Sequence, residues 1–167
     1  LAHFSKLETL SLKKCTSIKS IEPLTDLASL RWLNLEKCSA LESVAALKGH
    51  SALKAIGLSG CAALTSLEGL SGLSSLIRTV DERETCSEGT LENKHLSSEN
   101  HRHLDLTGLH KLTTLSGLGP LPKISALTID ARALTDITAL SEFAHLSALN
   151  LSGCSSLSSL LPLLALK

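Results

Sequence analysis

Apolar residues along this chain fall at two spacings that take turns: positions 1, 4 and 6 of a unit, then every third residue through position 21. Units of this form start at Leu7, Leu30, Leu53, His101, Ile124 and Leu146, the one at Ile124 being a residue shorter. Across the six copies, 45 of 48 such slots hold Leu, Ile, Val, Phe or Cys, which makes the unit a structural repeat. The exceptions are His50, His101 and Arg132. Alternation such as Leu10-Ser11-Leu12 predicts a short strand with one face inward. The steps of three that follow do not fit an α-helix, in which each residue advances about 100° and the stripe would drift by about 60° per step. A three-residue turn holds the stripe on one side. Each unit is therefore expected to be a strand followed by 3₁₀ and extended pieces, with at most one α turn. Pro23, Pro120 and Pro162 fall in this return segment, where no ladder hydrogen bond is lost. A period near 23 residues means a solenoid, one winding per unit, with successive strands parallel.

Four windings close on the same phrase, L-x-x-L-x-L-x-x-C, read as LETLSLKKC, LRWLNLEKC, LKAIGLSGC and LSALNLSGC, ending at Cys15, Cys38, Cys61 and Cys154. The phrase resembles the leucine-rich repeat family. Segments such as SIEPLTDLASL and DITALSEFAHL are similar to its short, roughly 22-residue class, seen in bacterial internalins and in the nuclear regulatory subunit of protein phosphatase 1. The resemblance implies an α/β solenoid: a right-handed superhelix with a concave parallel sheet and a mostly 3₁₀ or extended convex side. In that class position 9 is usually Asn, whose amide ties neighbouring windings together. Here it is Cys in four copies, Leu109 in one and Arg132 in another, so weaker thiol donors, backbone or water must replace the amide.

The pattern covers residues 1–75 and 101–167 and fails between them, over 76–100. Threaded as a regular winding from Leu76, the interruption would turn Thr79 and Asp81 inward, and a buried unpaired carboxylate costs several kcal/mol. That favours an extruded loop, with the third winding stacked directly on the one containing Leu104 and Leu106. The 25-residue spacing from Leu76 to His101 instead favours a degenerate winding, and both readings stay open. Cys86, His95, His101 and His103 could form a metal set, but their spacing matches no zinc signature, so a solvated histidine-bearing loop is the plainer reading. His50 reads as a tolerated histidine at the edge of the core. Leu1, Phe4 and Leu166 occupy repeat slots at the two ends, so flanking repeats or domains of a longer chain are expected.

Composition agrees with a tube of stacked leucines: 43% of residues are hydrophobic and only 2% aromatic. Lys plus Arg and Asp plus Glu number 16 each. Neutrality argues against nucleic acid or a charged membrane surface as partner, and no apolar run is long enough for membrane insertion. The in-line cysteines point in parallel rather than at each other, so free buried thiols and an intracellular, cytoplasmic setting are expected. No catalytic motif, cofactor site or metal signature is present, so a non-enzymatic protein-binding scaffold is expected. A regulatory or targeting subunit of an enzyme, a structural component of an assembly, and an extracellular receptor or adhesin are the alternatives.

Binding would then fall on the concave positions 2, 3, 5, 7 and 8, which carry five basic and two acidic residues in the first three windings. The candidate contacts are Glu8, Lys13, Arg31, Trp32, Asn34, Glu36 and Lys54, with Arg102 and Asp105 further along. Trp32 beside Arg31 has interface hot-spot chemistry, and replacing both by Ala is expected to weaken binding while sparing stability. Later windings offer small neutral residues instead, at Ser125, Ala126, Thr128, Ser147, Ala148, Asn150 and Ser152.

Overall fold

A computed structural model describes residues 5–80 and 102–166. Its strands are β1 (Thr9–Ser11), β2 (Trp32–Asn34), β3 (Ala55–Gly57), β4 (Arg78–Thr79), β5 (His103–Thr107), β6 (Ala126–Asp130) and β7 (Ala148–Asn150). They form two parallel ladders in sequence order, β1 to β4 and β5 to β7. Register links like positions of successive units: Thr9 to Trp32, Trp32 to Ala55, Ala55 to Arg78, and His103 to Ala126 to Ala148. This is the leucine-rich-repeat-type solenoid that the pattern predicts. The return segments contain 3₁₀ turns at Glu22–Leu24, Ala45–Leu47, Thr138–Glu142 and Leu161–Ala165, and no α-helix occurs among the described residues.

The inward aliphatic side chains are sealed from solvent. Leu33, Leu35, Ile56, Leu58, Leu104 and Leu106 are all 0% exposed, and each such side chain contributes about 1.5–3 kcal/mol relative to leaving it in water. Where the chain enters its convex return, a short polar side chain accepts a hydrogen bond from the backbone N–H two residues on. Ser20, Ser43, Ser66, Thr114, Asp136 and Ser159 do this in turn, one per winding. These local turns satisfy donors that a 3₁₀ start leaves unpaired.

Position 9 holds the windings together by sulfur. Cys38 Sγ donates to Leu12 O at 3.1 Å, Cys61 Sγ to Leu35 O at 3.1 Å and Cys154 Sγ to Ile129 O at 3.6 Å. In each case the acceptor is the position-6 carbonyl of the preceding winding. The ladder is broken where Leu109 stands. At the shortened winding it is Ala131, 0% exposed, that fills the inward slot, while Arg132 is exposed. The sequence reading that aimed Arg132 inward is therefore corrected: the missing residue lies in the turn before position 9, which moves the whole turn by one. His50 is 2% exposed and its Nε2 lies 3.1 Å from Leu24 O, so that nitrogen carries the hydrogen and donates.

Burial pushes the Cys61 thiol up from 9.0 to about 12, and raises Cys38 as well. A thiol whose folded-state pKa is raised loses stability with rising pH, because above pH 9 the unfolded chain releases a proton that the folded chain keeps. Stability is complete below about pH 9 and falls between pH 9 and 12, by about 2 kcal/mol at pH 10.5 from Cys61 alone. Urea midpoints at pH 8 and pH 10.5 measure this, and a Cys61→Val chain should show a visibly shallower decline.

The strand exit requires left-handed backbone at position 8. Lys14 (φ 64°) and Lys37 (φ 61°) adopt it, where later copies place Gly60, Gly108 and Gly153. A side chain there carries a steric cost that glycine avoids. Lys14→Gly and Lys37→Gly are each expected to raise stability by about 0.5–1 kcal/mol, readable as higher melting temperatures.

The two ladders meet at an irregular joint. Gly60 N–H donates to Thr107 O at 2.8 Å and Ser71 N–H to Gly117 O at 3.1 Å, so the third winding touches the β5 winding on both sides. At the start of the strands β4 lies between them, pairing with β3 and receiving the Asp105 N–H on Thr79 Oγ1. Thr79 thus spends its inward position on a hydrogen bond. Asp81 and the remainder of the interruption to residue 101, with Cys86 and His95, lie outside the described residues.

Candidate functional site

Alternation along each strand sends position 4 into the core and positions 3 and 5 onto the concave face. On β2 and β3 that face is closed. Trp32 is 5% exposed and packs with Ala55 and Val80 in an apolar cluster separate from the main core. Val80 follows β4 and belongs to the interrupted stretch, so it reaches Trp32 from 48 residues further along the chain. The expectation that Trp32 stands exposed as a hot spot, removable without loss of stability, is not what the structure has. The ring is a packing residue.

Asn34 and Glu36, also expected at the surface, are 4% and 6% exposed. Asn34 Oδ1 accepts the Glu36 N–H at 2.9 Å. Gly57 on the next strand leaves room for both, since a Cβ there would lie 3.0 Å from Asn34 Oδ1 and from Glu36 Cγ. Lys13 Nζ sits 2.7 Å from Glu36 Oε2, an ion pair that gives the buried carboxylate its partner. Of the other candidates, Glu8 and Arg31 form a loose pair at 3.6 Å, each about half exposed. Such a pair contributes little to stability. Arg31, Lys54 and Arg102 are exposed along the start of the strands, one per winding.

The β5–β7 half of the same face is open. His103, Asp105 and Thr107 on β5 and Ala126, Thr128 and Asp130 on β6 are partly exposed, and Ala148 and Asn150 on β7 are exposed. His103 Nε2 lies 2.8 Å from Thr128 Oγ1. Asp105 Oδ1 accepts from Thr107 N and Asn150 Oδ1 from Ser152 N, the same two-residue turn that Asn34 makes. Asp130 presses close to Gly153, where a Cβ would fall 2.3 Å from its Oδ1. The result is a shallow polar trough whose side chains are short and mostly held by their neighbours. Sequence reasoning read the β6 and β7 residues as small and neutral, Asp105 as a candidate contact and His103 as one of a metal set. The signal that it missed is an Asx residue at position 5 with a free N–H two residues on.

Of the proposed metal set only His103 is described, and it bonds to a threonine. Among the described residues no group of three or more His, Cys, Asp or Glu is placed to hold a metal ion. No described helix is long and apolar enough to cross a membrane.

Among solved structures the chain is similar to an internalin, InlF, from Listeria monocytogenes, at 18% identity and a TM-score of 0.39. The match covers 81% of this chain and 45% of that one, so the chain spans under half of the internalin's length. No protein-family model and no curated protein matches it.

Proposed function

We propose that this chain is a non-enzymatic protein-binding module whose partner lies along the concave face of β5, β6 and β7. The observation that carries this reading is the contrast between the two ladders: Trp32, Asn34 and Glu36 are buried, while Ala148, Thr128, Asn150 and Asp130 at the matching positions reach solvent. Short, pre-positioned polar groups on a rigid sheet suit a close-packed backbone or helix, because little side-chain freedom is lost on contact. The exposed Arg31, Lys54 and Arg102 lie along the margin and would steer an acidic partner.

The test uses a photo-crosslinking residue placed at Ala126, at Ala148 or, as a control, at convex Thr65. Adducts of one discrete partner from the first two positions and not the third support the proposal. Equal labelling from all three, or labelling from Thr65 alone, removes it. We also propose that the protein works in a reducing compartment, since oxidation would take Cys38, Cys61 and Cys154 from their carbonyl partners. Thiol titration of the native and the denatured protein checks this.

A further inference from the structure

The strand exits of the first two windings carry two local costs that nothing else in the fold offsets. Lys14 and Lys37 hold left-handed backbone at position 8 (φ 64° and 61°), where later windings use Gly60, Gly108 and Gly153. They are also like charges at one slot of neighbouring windings, which lie about 4.8 Å apart. Both side chains are exposed. The acidic residues of these windings are engaged or placed elsewhere. Glu8 pairs with Arg31, and buried Glu36 pairs with Lys13. Glu42 lies beside Lys19 at position 13, its N–H donating to the Lys19 carbonyl at 3.1 Å. Glu22 and Asp26 belong to the return segment. Among the described residues no carboxylate lies within ion-pair distance of Lys14 or Lys37.

One of the two amines is also aimed. A Cβ on Gly60 would fall 3.2 Å from Lys37 Cγ and 3.4 Å from Lys37 Cα, so the bare backbone of Gly60 is the bed for the Lys37 stem. A stem held in this way has less rotamer freedom left to lose on contact. Strained backbone that its surroundings maintain points to a task at that spot. We propose that Lys14 and Lys37 clamp a short acidic segment of a partner protein, their ammonium groups taking its carboxylates at the strand-exit edge. This site is separate from the β5–β7 trough and does not depend on it. The surrounding charge sets the kind of partner. Lys13 is engaged by Glu36, and Glu22, Asp26 and Glu42 lie further round the same windings. A nucleic acid needs a broader basic stripe, and its continuous phosphate charge would meet those carboxylates. A few consecutive Asp or Glu fit the pair without reaching them.

Fluorescence anisotropy of a dye-labelled peptide with four consecutive glutamates, titrated with the whole chain at low salt, tests the proposal. The parent should bind it saturably and should not bind the glutamine counterpart. K14G/K37G should weaken binding by about tenfold or more, the scale of losing charge-assisted contacts, while its urea midpoint rises. K14Q/K37Q keeps side chains on the strained backbone and should lose binding with little change in midpoint. K19A/K48A removes the same formal charge elsewhere on these windings and should bind within about twofold of the parent. A parent that ignores the glutamate peptide, binding kept by K14Q/K37Q, or equal losses in K14G/K37G and K19A/K48A would each overturn the proposal. So would an oligothymidylate that binds more tightly than the peptide and is lost in K14G/K37G.

Discussion

Trp32→Ala lowers the unfolding free energy by about 3 kcal/mol, the scale of removing a buried tryptophan. The ring is 5% exposed and has a specific bed in Ala55 and Val80, so its loss leaves a void that two small aliphatic neighbours cannot fill. The effect extends beyond one site, because Val80 has no place in the main core and its side chain rests on Trp32 at the end of β4. Arg31→Ala, by contrast, removes a half-exposed side chain and a 3.6 Å ion pair, and should cost under about 0.5 kcal/mol. Chemical denaturation of the two variants separates the readings. If Trp32→Ala unfolds at the parent's urea concentration while a partner's affinity drops, the ring belongs to an interface after all.

Gly69→Ala is expected to cost about 3–5 kcal/mol, for two reasons that add. Its φ of 106° is ground that side-chain-bearing residues rarely occupy, and a Cβ would sit 2.1 Å from Val44 O on the preceding winding. The obstacle is backbone, so relief requires prising two windings apart on the convex side. Gly72→Ala provides the control. Its φ is 89°, yet nothing lies within 4 Å of the added carbon, so only the conformational cost of about 1 kcal/mol remains. Comparable losses from both changes would show that crowding against Val44 is not real.

The repeat made the fold readable because its cause is local. A side chain at position 4 or 6 faces inward whatever the winding does elsewhere, so counting residues was enough to place Leu33, Leu58 and Leu106. The thiol ladder was half readable: the sequence pointed to weak donors at position 9, and only coordinates could identify the position-6 carbonyls as their acceptors. Arg132 was misplaced because a one-residue deletion can be absorbed at several points of a turn, and the pattern does not say where. Trp32 failed for a different reason. Its burial depends on Val80, which lies beyond the point where periodicity stops guiding the chain. Asp105 and Asn150 appeared in the sequence as surface polar groups, and their duty to the N–H two residues on is visible only once the strand exit is built.

The joint between the third winding and the β5 winding bears on how the molecule yields under tension. Elsewhere neighbouring windings share strand pairing in matched register and, at three interfaces, a sulfur contact. Here the sheet passes through a two-residue strand, Leu109 offers no donor, and the glycine backbones of Gly60 and Gly108 approach each other directly. In a stack where each layer is held only by the layers beside it, a pull along the axis parts the thinnest seam first. Stretched from its ends, the protein should open there in one discrete step, leaving two short leucine-packed stubs that come apart later and separately.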